Sequence, residues 1–206
     1  MTRRARRHGS AVPEGGALWQ DGWWSKARAC ASPNFGPRPA GASIDLAVIH
    51  SISLPPGRYG GDSIERLFTN RLDWDAHPYF EQIRGLEVSS HFLILRDGAL
   101  MQFVSCDERA WHAGASIWQG RENCNDYSVG IELEGLEGER FEAAQYAMLV
   151  ELLRALAEHY SIAAVVGHEH VAAGRKLDPG AGFDWQRLMA ALGWPAERFP
   201  PAPADR

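Results

Sequence analysis

The sequence predicts a single α+β domain in which a mixed β-sheet is flanked by α-helices. Its length of 206 residues suits one domain with a sizeable core, and its 45% hydrophobic and 23% charged residues are ordinary for a globular protein. The predicted elements follow in the order strand, helix, hairpin, strand, long helix, strand, helix. Strands and helices therefore do not alternate strictly, which favours a mixed sheet packed against helices over a parallel α/β fold.

The first predicted strand covers residues 44–50, a nearly continuous apolar run that is rich in β-branched side chains. Such a run is typical of a strand buried on both faces, and it ends at His50 before a segment with two prolines. A short helix is predicted over residues 62–68, where apolar residues recur at helical spacing after Asp62, a residue type that commonly caps helices.

A β-hairpin is predicted next. Residues 88–95 and 100–104 are two strand-like runs on either side of Asp97-Gly98, and glycine accepts the positive φ that a tight turn requires. The polar residues 105–127 then predict a long irregular connection, and loops of that length often have a function.

Two elements with clear periodicity follow this connection. Residues 127–135 alternate apolar and polar side chains, which predicts a strand with one polar face on which Glu132 and Glu134 lie together. Residues 141–160 carry a stripe of leucines at helical spacing, with charged residues on the opposite side, and predict a long amphipathic helix.

The last elements surround a short polar loop. An apolar strand is predicted over residues 163–167, and the loop that follows it contains two histidines, a lysine and an aspartate. A final helix is predicted from Trp185 to Leu192, with Asp184 as its cap.

Composition divides the chain into a disordered basic tail over residues 1–15, one domain over residues 16–195 and a Pro-rich C-terminal tail over residues 196–206. The net charge of −5 argues against nucleic-acid binding, and no apolar run is long enough to cross a bilayer. No signal peptide is visible, and three widely spaced cysteines without a CxxC motif favour reduced thiols. These features predict a soluble cytoplasmic protein.

Two predicted strands lead into histidines, an arrangement that suits a metal site, with core histidines bonded to the backbone as the structural alternative. His50 and His168 each follow an apolar strand, and Asp178 lies on the loop after His168. Two imidazoles and one carboxylate are a ligand set for catalytic zinc, which keeps its fourth position for water. His170 shares a side with His168 in an extended loop and is a rival ligand that spacing does not exclude.

A hydrolytic zinc site also needs a base, and either Glu132 or Glu134 can supply it. Lys176 lies on the same side as Asp178 in an extended segment and can stabilise an oxyanion. The structural alternatives are a solvated strand face for the two glutamates and a surface ion pair for the lysine. Three tryptophans can offer flat surfaces to sugar rings: Trp74, Trp111 and Trp118.

Six segments have a familiar pattern: residues 48–57, 77–80, 88–91, 109–114, 124–135 and 167–180. They resemble the cytoplasmic 1,6-anhydro-N-acetylmuramoyl-L-alanine amidases of Gram-negative bacteria. These enzymes belong to the zinc amidase superfamily, which includes the peptidoglycan recognition proteins. The similarity extends over about residues 20–192 in order, and it implies that the predicted domain would be a zinc amidase domain with the amidase-like mixed sheet.

The resemblance also implies roles for individual residues. Zinc would be held by His50, His168 and Asp178, and Glu132 would be the general base and acid. Lys176 would polarise the scissile carbonyl, while His170 would not be a ligand. Substrate contacts are expected from Ser51, His91, Trp111 and His112. Ser51 stands where the family more often has asparagine.

The implied reaction is cleavage of the amide between the lactyl group of anhydro-muramic acid and the L-alanine of the stem peptide. The substrate would be a small 1,6-anhydro-muropeptide from cell-wall recycling, whose level controls β-lactamase induction. The protein would be a monomer without a nucleic-acid or membrane partner. Two alternatives are a non-catalytic peptidoglycan-binding module and an amidase that acts on intact murein outside the cytoplasm or in a phage.

Overall fold

The structure is a computed structural model that describes residues 18–201, so the predicted basic tail over residues 1–15 lies outside the described residues. Its centre is a six-stranded sheet. In chain order the strands are β1 (Arg28–Ala29), β2 (Leu46–Ile52), β3 (Phe92–Ile94), β4 (Leu100–Gln102), β5 (Ser128–Glu134) and β6 (Ala164–Gly167).

Across the sheet the strand order is β6-β2-β5-β3-β4-β1. The neighbours from β6 to β3 are parallel, β4 is antiparallel to β3, and β1 is parallel to β4. The sheet is therefore mixed, and the predicted fold class is confirmed.

Five α-helices accompany this sheet in the described part of the chain: α1 (Ser63–Phe68), α2 (Pro78–Gln82), α3 (Ala143–His159), α4 (His168–Val171) and α5 (Trp185–Leu192). Short 3-10 turns occupy Trp74–Ala76, Cys124–Asp126 and Ala196–Arg198. Two-stranded ribbons pair Trp19–Gln20 with Trp23–Trp24, Phe35–Gly36 with Arg109–Ala110, and Ile117–Trp118 with Arg121–Glu122. None of these helices is long and apolar enough to cross a membrane.

The hairpin and the final helix form where the sequence predicts them. β3 and β4 are antiparallel, and Gly98 in the turn between them has a φ of +87°. The side chain of Asp184 accepts a hydrogen bond from the backbone N–H of Arg187 and caps α5. The connection over residues 105–127 is more ordered than predicted, because it holds three short strands and a 3-10 turn.

One face of the sheet packs against α3 to form the main core. The buried apolar side chains of β5 and the leucine stripe of α3 belong to one cluster, which includes Val129, Ile131, Leu133, Leu149, Leu152, Leu153 and Leu156. Burying a leucine side chain contributes about 1.5–3 kcal/mol, so this interface accounts for much of the fold's stability. The predicted helical stripe is therefore its buried face.

The opposite face of β5 was predicted to be polar, and a solvated face was the structural alternative for its glutamates. The structure differs, since all seven residues of β5 are buried. The strand lies between β2 and β3, and the imidazole of His112 covers the middle of its polar face: a Cβ added to Gly130 would lie 2.5 Å from His112 Cγ. The two glutamates are therefore held away from bulk water.

The predicted Pro-rich tail begins inside the packed fold. Residues Ala196–Arg198 form a turn, and Phe199 is buried with its ring 6.4 Å from that of Trp194. Residues 202–206 lie outside the described residues. The boundary at residue 195 thus falls before an aromatic contact that belongs to the core.

Candidate active site

The register of three parallel strands brings the chemically important side chains together. His50 of β2 pairs with Glu132 of β5, and Gly167 of β6 pairs with Ile49, so His168 follows at the level of His50. The carboxyl ends of parallel strands meet at one edge of a sheet, where α/β proteins place their ligands. The candidate site therefore lies at the carboxyl edge of β6, β2 and β5.

His50, His168 and Asp178 form a compact cluster at this edge. Nδ1 of His50 lies 3.0 Å from Nδ1 of His168, and each of these nitrogens lies 3.1 Å from Oδ2 of Asp178. All three side chains are buried. Three ligand atoms at the corners of a nearly equilateral triangle can hold a metal ion.

The donor set of this cluster fits a small divalent cation. Nε2 of His168 lies 3.1 Å from the carbonyl oxygen of Ala113, which only accepts, so this nitrogen has the proton and Nδ1 has a lone pair. That lone pair faces a carboxylate oxygen without a proton between them, and a cation would relieve the repulsion. Tetrahedral coordination with bonds of about 2.0–2.1 Å places ligand atoms roughly 3.3 Å apart, close to the spacing observed.

The charge states of the cluster favour cation binding as well. Burial lowers the pKa of His50 to about 4, and the charge of His168 adds to this while Asp178 opposes it. Burial alone would raise the pKa of Asp178, but the neighbouring imidazoles of His168 and His50 lower it below its usual range. At neutral pH the cluster therefore offers a neutral imidazole at His50 and an ionised carboxylate.

Glu132 is a buried carboxylate beside the cluster. Its Oε1 lies 4.0 Å from Nδ1 of His50, and its Oε2 has no hydrogen-bond partner within residues 18–201. Burial raises its pKa well above the usual value, with a further contribution from the charge of Asp178 and an opposing one from Lys176. A carboxyl group with a raised pKa and an unpaired oxygen is suited to moving protons near neutral pH.

Glu134 has a different environment although it lies on the same face of β5. Its Oε1 accepts the backbone N–H of Gly60 at 2.5 Å, and its Oε2 accepts the backbone N–H of Arg96 at 3.1 Å. Both oxygens are therefore engaged by loops at the end of the sheet. The two carboxylates that the sequence left as alternatives are distinguished by this difference.

A groove of about 270 Å³ lies over the cluster. The sequence-predicted site residues that line it are His50, Ser51, Trp111, His112, Glu132, His168, Lys176 and Asp178. Its other end is largely apolar and is formed by Leu54, Leu67, Phe68, Tyr79, Ile83, Leu86 and Val88. A polar end with titratable groups and an apolar end with aromatic rings suit an amphiphilic substrate.

Residues 40–181 match the sequence profile of a protein family described as N-acetylmuramoyl-L-alanine amidase (Amidase_2). The match covers well over half of the chain and includes His50, His168 and Asp178. The chain belongs to this amidase family. The family resemblance expected from the six sequence segments is thus confirmed.

Individual relatives of the amidase agree with this assignment. The 1,6-anhydro-N-acetylmuramyl-L-alanine amidase AmpD of Citrobacter freundii is 49% identical over 177 residues, which are 85% of this chain and 95% of the relative. A crystal structure of a Se-Met AmpD derivative has a TM-score of 0.83 at 48% identity and covers 85% of this chain and 99% of its own. The Escherichia coli amidase AmiD is 30% identical in a complex with anhydro-N-acetylmuramic acid-L-Ala-D-gamma-Glu-L-Lys, with a TM-score of 0.54 over 75% of this chain and 60% of its own.

His91 is the one predicted substrate contact that the amidase structure does not bring to the groove. Its side chain is fully buried at the start of β3. Nδ1 accepts the backbone N–H of Gly130 at 3.0 Å, and Nε2 lies 3.1 Å from the carbonyl oxygen of Glu108. Because the backbone engages both nitrogens, this ring joins β3, β5 and a loop in the interior.

His170 is close to His168 in the sequence but faces away from the cluster of His50, His168 and Asp178 in this amidase. Both residues lie on α4, and residues two apart on a helix point to nearly opposite sides, whereas an extended loop would have aligned them. Nδ1 of His170 accepts the backbone N–H of Gly167 at 2.9 Å, and its ring packs 5.6 Å from that of Trp185. It lines a separate cavity of about 880 Å³ on that side.

The three tryptophans considered as sugar platforms have different locations in the amidase. Trp111 lines the groove, whereas Trp74 packs against the apolar cluster around Phe80 and Trp118 packs against the one around Tyr127. Sequence reasoning also missed Asn125, whose Oδ1 accepts the backbone N–H groups of His112 and Ala113 at 3.2 and 2.8 Å. Nothing in the sequence marks an asparagine that serves backbone groups.

Proposed function

We propose that this chain is a zinc-dependent amidase. It hydrolyses the amide bond between the lactyl group of 1,6-anhydro-N-acetylmuramic acid and the L-alanine of the stem peptide. The main observation behind this proposal is the buried cluster of His50, His168 and Asp178. Beside it lies Oε2 of Glu132, which has no hydrogen-bond partner among residues 18–201. The AmpD relatives, which are named for this activity, and the ligand of the AmiD complex support the choice of substrate.

His50, His168 and Asp178 hold the zinc ion through two imidazole nitrogens and one carboxylate oxygen. This is the three-ligand pattern of catalytic zinc sites, which leave one position open. When bound, zinc polarises a water molecule and the scissile carbonyl group. The buried position of the ligands excludes bulk water from this side of the substrate.

Glu132 transfers the proton during hydrolysis. Its Oε2 removes a proton from the attacking water, whose oxygen bonds to the carbonyl carbon. The C–N bond then breaks, and Glu132 returns the proton to the departing nitrogen of L-alanine. The products are the free carboxyl group of the lactyl moiety and a peptide with a free amino group. The raised pKa of Glu132 makes its carboxylate a better acceptor of the proton from water and keeps that proton on the carboxyl group until the nitrogen departs.

Lys176 and Ser51 contact the reacting amide in this proposal. The ammonium of Lys176, at the rim of the groove, stabilises the negative charge that develops on the carbonyl oxygen. Ser51 Oγ lines the groove and has no hydrogen-bond partner among the described residues, so it is free to bind a polar group of the substrate. Trp111 provides a flat surface for the sugar ring.

The cellular setting follows from the substrate. Soluble 1,6-anhydro-muropeptides are fragments of recycled cell wall, and we place the protein in the cytoplasm as a monomer that acts on them. Removing these fragments would also lower β-lactamase induction. No nucleic acid or membrane takes part in this function.

The metal requirement is tested by assaying the cleavage of an anhydro-muropeptide before and after metal removal. We expect activity to disappear when zinc is removed by a chelator and dialysis, and to return when one equivalent of zinc is added. Metal content is measured in each sample by atomic absorption. Undiminished cleavage by protein verified to be metal-free would contradict the zinc mechanism.

The role of Glu132 is tested with a matched pair of variants on one strand. Glu132→Gln keeps the shape of the side chain but cannot accept the proton, so we expect kcat to fall by about 10²–10⁴-fold with zinc content unchanged. Glu134→Gln is the control, because the oxygens of Glu134 accept backbone N–H groups. This variant should lower the melting temperature and change kcat much less than Glu132→Gln does. Equal losses of kcat in the two variants would exclude Glu132 as the base.

The physical form of the substrate separates this proposal from an amidase that acts on intact murein. Purified protein is given soluble anhydro-muropeptides and whole sacculi in parallel, and free stem peptides are quantified by chromatography. We expect much faster release from the soluble fragments. Faster release from sacculi would identify a murein-directed enzyme with the same chemistry.

A further inference from the structure

The loop over residues 111–115 lies directly behind the metal cluster and contacts both histidine ligands. Nδ1 of His112 lies 2.9 Å from Nε2 of His50, and the two rings are nearly perpendicular at 89°. The next residue, Ala113, presents its carbonyl oxygen to Nε2 of His168 at 3.1 Å. Adjacent residues of one loop thus contact the outward-facing nitrogen of each imidazole.

The hydrogen-bond directions behind His50 follow from a buried serine. Oγ of Ser128 lies 2.5 Å from the carbonyl oxygen of Cys124, which can only accept, so the single hydroxyl proton of Ser128 is donated there. Oγ of Ser128 also lies 3.1 Å from Nε2 of His112. Because Ser128 has no second proton, Nε2 of His112 must be the donor in this contact.

The directions of these hydrogen bonds determine which nitrogen of His50 has the lone pair that can bind a metal ion. A neutral His112 with its proton on Nε2 has a lone pair on Nδ1 and accepts a hydrogen bond from Nε2–H of His50. His50 then has its own lone pair on Nδ1, the atom that lies 3.0 Å from Nδ1 of His168. We propose that His112 is a positioning residue that, together with Ser128 and the Cys124 carbonyl, holds His50 in the tautomer that binds metal.

The surroundings of His112 hold its ring in this orientation. Gly130 lies beneath the ring, and a Cβ at this position would be 2.5 Å from Cγ of His112. The side chain of Asn125 accepts the backbone N–H of His112 at 3.2 Å and is itself buried. The ring therefore has a partner on each nitrogen and a wall on one face. The resemblance implied that His112 contacts the substrate. The relay, which is the series of hydrogen bonds from His50 through His112 and Ser128 to the Cys124 carbonyl, instead gives it a positioning role.

This inference rests on the metal site of the proposed function. The directions of the hydrogen bonds behind His50 can nevertheless be tested without measuring activity. Partners of the non-coordinating nitrogen orient a histidine ligand and typically change metal affinity by about 10–100-fold when removed. His168 has a backbone carbonyl as its partner, which substitution cannot remove. His50 depends on a side chain, and its contribution can therefore be measured.

The main test compares zinc affinity in variants of His112 by competition with a chromophoric chelator. His112→Leu leaves no acceptor for His50, and we expect the Kd for zinc to rise about 10–100-fold. His112→Asn places an amide oxygen near the former Nδ1 position, and we expect it to restore most of the affinity. Equal affinity in both variants and the wild type would overturn the proposal, as would an equal loss in both.

The serine of the relay has a matched control elsewhere in the fold. Ser128→Ala removes the group that fixes the proton of His112, and we expect a several-fold weaker zinc affinity. Ser90 is also fully buried, but its Oγ has no hydrogen-bond partner in the part of the chain that the structure describes. Ser90→Ala should leave zinc affinity unchanged. Equal effects of the two substitutions would mean that the loss reflects packing and not the relay.

The wild-type protein provides a test that does not depend on the zinc affinity of any variant. Long-range ¹H–¹⁵N correlation spectra distinguish the two neutral tautomers of an imidazole, and His112 is assigned through its loss in His112→Asn. We expect His112 to have its proton on Nε2 in both metal-free and zinc-loaded protein. A proton on Nδ1 would overturn the relay even if zinc binds. A protein that binds no zinc but has the Nε2–H tautomer would instead contradict the proposed function alone.

Discussion

At the scale of single residues, the site is defined by which buried polar atoms have partners. Glu132 and Glu134 are two residues apart on the same side of β5 and are both buried. Both oxygens of Glu134 accept backbone N–H groups, while Oε2 of Glu132 has no partner within residues 18–201. A carboxylate that lacks a partner in a buried site is available to react, whereas a satisfied one stabilises the fold.

His91 leads to a prediction about pH. Burial lowers the pKa of His91 from the ordinary value of 6.5 to about 3, and the charge of Arg38 makes a smaller contribution in the same direction. The folded protein therefore binds this proton less readily than the unfolded chain, so the stability that His91 contributes is present above about pH 6.5 and is lost as the pH falls toward 3. Between pH 7 and pH 5 this loss is about 2 kcal/mol.

The prediction is tested by urea unfolding of wild type and His91→Gln at the two pH values. Glutamine is neutral at both, so we expect its free energy of unfolding to fall by about 2 kcal/mol less than that of the wild type over this range. The comparison cancels the carboxylates, which titrate in both proteins. Parallel losses in the two proteins would show that His91 is not the titrating group.

Residue choices of this kind were only partly predictable. The pattern of two strand-end histidines and a following aspartate predicted the three residues that the structure brings together as a candidate metal site, because chemistry restricts metal ligands to few residue types. The choice between Glu132 and Glu134 depended on hydrogen bonds from Gly60 and Arg96, which are distant in sequence. The placement of His91 inside the fold could not be predicted either, since its partners are backbone groups.

At the scale of elements, one side chain holds together the segments behind the site. The guanidinium of Arg38 donates to the carbonyl oxygens of Cys106 at 3.0 Å, Asn125 at 3.1 Å and Ser128 at 2.8 Å. It also donates to the carbonyl of Asp126 at 3.1 Å. The beginning of β5 and the 3-10 turn before it are thereby fixed to the loop after β4.

Substitution of Arg38 is expected to destabilise this region strongly. Arg38→Met removes the donors and leaves several carbonyl groups without partners, so the free energy of unfolding should fall by at least about 2 kcal/mol. Arg38→Lys should restore little, because an ammonium cannot reach the same carbonyls as a planar guanidinium. Urea unfolding measures both. Full recovery in the lysine variant would show that charge alone is sufficient.

Helix capping gives a matched pair of predictions. The side chain of Asp184 accepts the backbone N–H of Arg187 at 2.9 Å at the start of α5, while Asp62 at the start of α1 makes no side-chain cap. Asp184→Ala should therefore lower the free energy of unfolding by about 1 kcal/mol. Asp62→Ala should lower it by less than about 0.5 kcal/mol. The reverse order in thermal or urea unfolding would contradict the capping assignment.

Elements with a strong periodic pattern were predictable, and short ones were not. The long helix α3, the hairpin and the buried strand β2 each follow from spacing that their own residues contain. α4 has four residues, and its helical conformation, which turns His170 away from His168, depends on contacts with β2 and β6. The two-residue strand Arg109–Ala110 likewise depends on pairing with Phe35–Gly36, which is distant in sequence.

At the scale of the whole molecule, the proposed zinc ion joins distant parts of the chain. Its ligands come from β2, from α4 and from the loop after α4, so that binding links the sheet to the C-terminal third. A ligand that binds only the folded state stabilises it by about 2.7 kcal/mol when its free concentration is 100 times Kd. Zinc should therefore raise the unfolding temperature of the entire domain.

This linkage is measured by thermal unfolding with excess chelator and with increasing free zinc. We expect the melting temperature of the wild type to rise with zinc concentration and that of Asp178→Asn to stay nearly constant, because an amide is a poor replacement for the carboxylate ligand. The chelator should have no effect on the variant. A zinc-dependent rise of the same size in Asp178→Asn would show that zinc binds elsewhere.

The separation of the ligands along the chain has a consequence for the time at which the site is completed. His50 and Asp178 are 128 residues apart, and Asp178 follows His168 by 10 residues. At about 5–20 residues per second, the third ligand leaves the peptidyl-transferase centre roughly a second after the second one. A nascent chain that stalls between residues 168 and 177 already contains every strand of the sheet but cannot complete the metal site. Acquisition of the ion would therefore distinguish molecules translated past Asp178 from those truncated before it.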